Sequence, residues 1–182
     1  MSAVRCALLL RAVNVSGRNR VPMAELRRLL QERIGLAGVS TYIASGNVIC
    51  DVDADGDLDG VRAEVRALIS AEFGVDTPVI ARTHAALLSA LAANPFPDAT
   101  QDRMLHAMFL EGQARDGAIA ALEPRLSAGE RVALVGDELW IDYGENGVHG
   151  TKLTKEVLDR ALGVAGTARN LRTVRALAEL TA

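Results

Sequence analysis

Three stretches of this chain carry side chains able to grip an anion or a polar ligand. The first is Arg11, Asn14, Ser16, Gly17, Arg18, Asn19 and Arg20, the second Ser45-Gly46-Asn47, and the third Thr167-Ala168-Arg169-Asn170. The first leads into a helix start at Val21-Pro22, so free backbone N–H groups, the helix dipole and guanidinium forks would together favour a phosphate or carboxylate. It lacks the Gly-x-x-x-x-Gly-Lys-Ser/Thr pattern, so it gives no basis for a nucleotide triphosphatase reading. The competing reading is a structured loop whose arginines satisfy carbonyls or meet solvent. Asn47 likewise suits a tight turn, where Gly-Asn accepts positive backbone dihedrals. Lys152 precedes a helix that Thr154 could cap, and Arg169-Asn170 precede the last helix in the same way. The candidate ligand-binding set is Arg11, Asn14, Arg18 and Asn47, joined by Lys152, Arg169 and Asn170 from the other half. Arg169, Arg172 and Arg175 recur every three residues, a basic stripe that ordinarily faces solvent.

Other chemistries are poorly supplied. Asp51 to Asp57 begins like a calcium loop, but its twelfth position is Arg62, where a bidentate glutamate is required; counting from Asp53 reaches Glu64 and puts Leu58 where glycine belongs. His84, His106 and His149 lie in separate segments without ligand spacing. His149, between Gly147 and Gly150, is the one in an obvious loop, where it could titrate beside a bound anion. The two cysteines, Cys6 and Cys50, lie in apolar runs and read as buried reduced thiols. No metal site and no cofactor is expected, and no nucleophile can be named. If a reaction occurs, cationic clamps suit a transferase or hydrolase acting on a phosphorylated or acylated metabolite.

These groups need a scaffold, and 182 residues provide one large domain or two small ones. Apolar residues at 49% and charged residues at 24% are globular proportions. A net charge of −3 gives no basis for wholesale nucleic-acid binding, so anion recognition must be local. The longest apolar run, Cys6 to Leu10, is far too short to span a bilayer, and no secretory signal pattern precedes it. The expectation is a cytoplasmic protein without a membrane partner.

Arg5 to Arg11 reads as a buried strand, and Val21-Pro22 opens a helix to about Ile34 with Leu26, Leu29, Leu30 and Ile34 as its stripe. Gly35 and Gly38 close it. Val39 to Ala44 and a strand through Val52 form a hairpin turning at Ser45-Gly46-Asn47. Leu58 to Phe73 is helical, and Thr77 to Ala81 is a strand. The order βαββαβ predicts a ferredoxin-like unit: an antiparallel sheet of four strands with two helices on one face. In that topology the loop Arg11 to Arg20 and the turn at Asn47 emerge at the same end of the sheet.

A helix from Thr83 to Asn94 is followed by Pro95-Phe96-Pro97-Asp98, a rigid break. Beyond it come a strand from Met104 to Leu110, a helix from Ala114 to Leu126 and a hairpin of Arg131 to Val135 with Leu139 to Tyr143. Helices follow over Thr154 to Leu162 and Asn170 to Leu180. The fold class is therefore α+β, with two ferredoxin-like halves, the second showing a terminal helix where a fourth strand would belong and no residue-level repeat of the first. The expected organisation is a first half over 1–83, a connection over 84–98 and a second half over 99–182. Alternate residues of the first strand are apolar on both faces, which two packed halves or a homo-oligomer would explain. RNA recognition on an open sheet would need stacking aromatics, and aromatics are 3% of the chain, with none in strands one or three.

Six segments together resemble the bacterial domain-of-unknown-function 1697 family: Leu9 to Gly17, Val21-Pro22-Met23, Tyr42 to Val48, Asn94 to Pro97, Thr151 to Thr154, and Thr167 to Asn170. The resemblance runs over nearly the whole chain and implies a bacterial protein with two lobes of paired ferredoxin-like halves, in a family without an established activity. The chain departs from the family's usual pattern at Ala12 and Ser16, where glycine is common, and at Leu171, where an aromatic residue is usual. The functional expectation is a small anionic or polar metabolite bound at the strand-end loops. The contrasting reading is a non-catalytic module that binds a protein or a nucleic acid.

Overall fold

The computed structural model describes residues 3–182. Two compact units emerge: one holds the chain through Leu88 together with Leu177–Ala182, the other Ser89–Ala176.

The first unit contains β1 (Ala3–Leu10), α1 (Met23–Leu29), β2 (Ala37–Tyr42), β3 (Asn47–Asp53), α2 (Leu58–Phe73) and β4 (Val79–Thr83). Its strands lie in the order β2-β3-β1-β4, all antiparallel. β1 is central, with both edges hydrogen-bonded, and it is apolar and buried on both faces. Cys6, Leu8 and Leu10 pack with Leu26, Leu30, Val65 and Ile69 of the helices, while Ala7 and Leu9 on the opposite face are buried as well. The last turn of α1 widens to π-type over Leu30–Ile34 and stops at Gly35, whose φ of 80° no branched residue would adopt cheaply. Gly38 does not close the helix. It sits inside β2 at a register shift between Ala37 and Ser40, where a Cβ would run into the Asp51 carboxylate.

Cys6 and Cys50 face each other across β1 and β3 with their sulfurs 3.8 Å apart, both buried and reduced. The hydrogen bond to Cys6, together with burial, holds the Cys50 thiol above its ordinary pKa.

In the second unit are β5 (Leu105–Leu110), α4 (Ala118–Leu122), β6 (Arg131–Val135), β7 (Glu138–Asp142), α5 (Lys155–Leu162) and β8 (Gly166–Asn170). The order is β6-β7-β5-β8, the same arrangement as in the first unit. The fourth strand is therefore present, contrary to the sequence expectation. Gly166-Thr167-Ala168-Arg169-Asn170 has no run of large apolar residues, and its pairing with β5 supplies what its composition does not. The helix expected over Ala114 to Leu126 shrinks to α4, bounded by Gly117 at φ 79° and by a 3-10 turn at Glu123–Arg125 that contains Pro124. Two further helices, α3 (His84–Ala92) and α6 (Leu171–Leu180), each follow the last strand of a sheet.

The two units also share a short residue-level repeat. Ala7 pairs with Arg82 in one sheet and Ala107 with Arg169 in the other. Arg82 Nη1 donates to Ala81 O at 3.0 Å, and Arg169 Nη1 to Ala168 O at 2.9 Å. The next residue caps a helix in both cases: Thr83 Oγ1 accepts from the Ala86 N–H, and Asn170 Oδ1 from the Thr173 N–H. The motif Ala-Arg-Thr/Asn thus recurs at one structural position.

The rigid break has a physical anchor. Arg131 forks between Asp142, at 2.7 Å, and Asp98, at 3.0 Å, with its guanidinium 4.5 Å above the Phe96 ring. The hydrogen bond from Arg131 holds Asp98 below the usual carboxylate range.

His106 is the half-buried titratable group of β5. Its ring stands edge-on to Tyr143 at 5.0 Å, and its Nε2 lies 3.1 Å from the Arg103 carbonyl, which makes Nε2 the protonated nitrogen of a neutral imidazole. Burial lowers its pKa, outweighing the Arg103 bond. The unfolded chain, with an ordinary value of about 6.5, therefore takes up the proton first. Stability should be full above that value and decline as pH falls through it toward the folded-state value. Urea titrations at descending pH should show this slope and His106→Gln should flatten it; equal slopes in the two proteins would count against it.

Candidate functional site

The loop from Arg11 to Arg20 leaves the central strand at one end of the first sheet and is closed by a single side chain. Asn14 Nδ2 donates to Val21 O at 2.9 Å and to Ala44 O at 2.8 Å, and its Oδ1 accepts from the Val21 N–H at 2.9 Å. One amide thereby ties the loop to its own exit and to the hairpin between β2 and β3. The Leu10 N–H donates to Gly46 O at 2.8 Å, and a Cβ at Gly46 would stand 2.6 Å from Val13 Cγ2. Asn47, fully buried, turns its Nδ2 to Tyr42 O and Ser45 Oγ. On the other flank, the Arg11 N–H donates to Thr77 Oγ1, which in turn donates to Arg11 O.

Arg11, Asn14, Arg18 and Asn47 therefore share one end of the first sheet, but in different roles. Asn14 and Asn47 direct these bonds to backbone and turn, which makes them residues that shape the site. Arg11 is half-buried, and Arg18 and Arg20 are exposed. Neither Arg18 nor Arg20 has a carboxylate partner among the described residues. The backbone between them is unusual: Ala12, Asn14, Ser16 and Asn19 all have φ of 50–54°, and Gly17 has 74°. The Asn14 N–H donates to Asn19 O at 3.0 Å and the Arg18 N–H to Val15 O at 2.9 Å, so these left-handed residues fold the loop back on itself and leave its arginine side chains to meet a ligand. Ala12 and Ser16 are neither glycine nor asparagine, so their side chains bear the strain of the left-handed backbone.

The remaining three candidates belong to the second unit. Lys152 is exposed in the loop before α5, whose cap is Thr154, accepting from the Val157 N–H. Asn170 caps α6. Arg169 is buried in β8, donating to Thr167 Oγ1 at 2.7 Å, and desolvation pushes its pKa down to about 10. The register puts Ala133, Trp140, Ala107 and Arg169 in one row on one face of the sheet. Trp140 is fully buried, and its indole N–H lacks an acceptor among the described residues. Sequence reasoning passed over Arg82, the counterpart of Arg169. The signal that could have found it was the repeated Ala-Arg followed by a helix cap.

Among the described residues, no three His, Cys, Asp or Glu side chains gather to hold a metal ion, and no helix is long and apolar enough to cross a membrane.

A sequence-family model described as "Protein of unknown function (DUF1697)" matches residues 4–140. The chain belongs to the DUF1697 family. Comparison with curated proteins gives no match. Among solved structures, this DUF1697 chain is similar to the conserved bacterial protein SP0830 from Streptococcus pneumoniae, with 22% identity, all of both chains covered and a TM-score of 0.77. That likeness concerns the fold.

The loop geometry yields opposite expectations for neighbouring substitutions. Asn14→Ala removes three hydrogen bonds and strands a buried N–H, costing about 1–3 kcal/mol. Ala12→Gly relieves left-handed strain against glycine's added unfolded entropy, for a net gain of about 0.5–1 kcal/mol. Chemical denaturation of both variants measures this; a destabilised Ala12→Gly would contradict the loop conformation.

Proposed function

We propose that this protein binds a small metabolite bearing a phosphate or carboxylate at the strand-end loop of its first unit. One observation supports this above all: Arg18 and Arg20 stand without carboxylate partners on a loop that Asn14 locks into successive left-handed turns. A guanidinium offers paired donors that fit an oxyanion. Fixing the loop before the ligand arrives lowers the ordering entropy that binding must overcome.

In this reading Arg11 and Arg18 contact the anion, while Asn14 and Asn47 hold the backbone that presents them. Lys152, Arg169 and Asn170 belong to the second unit and are not part of this reading. The reading assigns a ligand class and no reaction. A cytoplasmic setting, where phosphorylated metabolites are abundant, is part of the same proposal.

A ligand that binds only the folded state at a hundredfold its Kd adds about 2.7 kcal/mol. At this chain length each kcal/mol raises Tm by about 2–4 °C. A thermal-shift screen of inorganic phosphate, nucleotides, sugar phosphates and coenzyme A derivatives should therefore give a rise of several degrees for at least one compound. Arg11→Ala and Arg18→Ala should each abolish that rise while leaving the ligand-free Tm within a few degrees. A rise that survives both variants would place the ligand elsewhere.

A further inference from the structure

The second unit carries another cationic concavity, one that the strand-end loop does not explain. A cleft of about 550 Å³ lies between α4 and α5, walled by Arg115, Arg125 and Arg160. Its volume falls in the range of small-molecule pockets, about 300–1,000 Å³. Ala121, Val157 and Ala161 also line it, giving a part of the wall that is apolar and built of small side chains.

Elsewhere this chain habitually pairs its arginines with acids, as in Arg5–Asp51, Arg66–Asp76, Arg131–Asp142 and Arg175–Asp102. Arg115, Arg125 and Arg160 have no such partner among the described residues. Asp116 and Glu156 also line the cleft, so its charge is mixed and the three cations exceed the acids by one.

Arg115 sits against the end of α5. Its backbone N–H donates to Leu162 O at 2.9 Å, and its guanidinium lies in the space that a side chain at position 163 would fill. A Cβ on Gly163 would stand 2.6 Å from Arg115 Nε. With a φ of 70°, Gly163 both ends α5 and leaves room for the arginine.

We propose that this cleft is a binding site for a phosphate monoester of a small organic alcohol. A phosphate monoester carries about −1.5 to −2 charges at neutral pH, enough to engage two or three guanidiniums. The small apolar side chains leave space for the organic body, and the two carboxylates offer acceptors to any hydroxyl on it. The site lies wholly in the second unit and stands independently of the strand-end loop.

The test is calorimetric titration of the full chain with 1-naphthyl phosphate, with 1-naphthol and inorganic phosphate as separate controls. Saturable binding of the monoester is expected, about tenfold or more tighter than either control. Arg125→Ala with Arg160→Ala should weaken it by about tenfold or more, and Arg160→Lys, which keeps the charge but loses the paired donors, should weaken it less than the double substitution. All three arginines are exposed, and an unchanged circular dichroism melt will confirm that the variants fold. Backbone amide shifts should move at Ala121, Val157 and Ala161 and stay unmoved by Arg18→Ala. Absence of saturable binding, affinity indifferent to the double substitution, or shifts confined to residues 11–20 would each overturn the proposal. The last outcome would leave the strand-end reading standing.

Discussion

The central strand of each sheet imposes the constraint from which the rest follows. β1 is hydrogen-bonded along both edges, and its five residues Cys6 to Leu10 are also buried on both faces of the sheet. A segment like that admits only apolar side chains, and any polar chemistry must wait until the chain leaves it. Arg11 is the first residue to do so. The concentration of arginine and asparagine immediately beyond Leu10 is thus a consequence of topology as much as of recognition.

Leaving the middle of a sheet also brings neighbours. On one flank is the hairpin between β2 and β3; on the other is the approach to β4, with Thr77. The chain uses both, through Gly46 O and Thr77 Oγ1, and then uses Asn14 to fasten the loop to itself. The left-handed residues are tolerated because these bonds over-determine the backbone. A surface loop is thereby tied at its entry, middle and exit, the condition under which a few exposed guanidiniums can act on a ligand together.

Much of this was legible in the residues. Alternating and 3.6-residue periodicities gave both hairpins, the long helix over Leu58–Phe73 and the order βαββαβ, and that order alone placed Asn14 and Asn47 at one end of a sheet. β8 was not legible, because small and polar residues make a strand only when a partner strand supplies the hydrogen bonds. Nor was the repeated Ala-Arg-Thr/Asn motif, since its meaning lies in register with Ala7 and Ala107, which sequence order does not display. Gly38 reads as a helix end because a bulge and a helix end make the same demand on φ. The asparagines were located correctly, but their hydrogen bonds show them bracing the loop. The cleft at Arg115, Arg125 and Arg160 has no sequence signature, because its residues come from separate segments and match no motif.

Leu177–Ala182 belong to the first unit, fastened there by Arg5 Nε donating to Leu180 O and by His84 Nδ1 against Ala178 O. During synthesis the opening sheet emerges early, yet its final contacts are supplied by a segment translated after the whole of the second unit. Domains generally fold in order of emergence. Here the first unit receives its last contacts only after the intervening unit has been made.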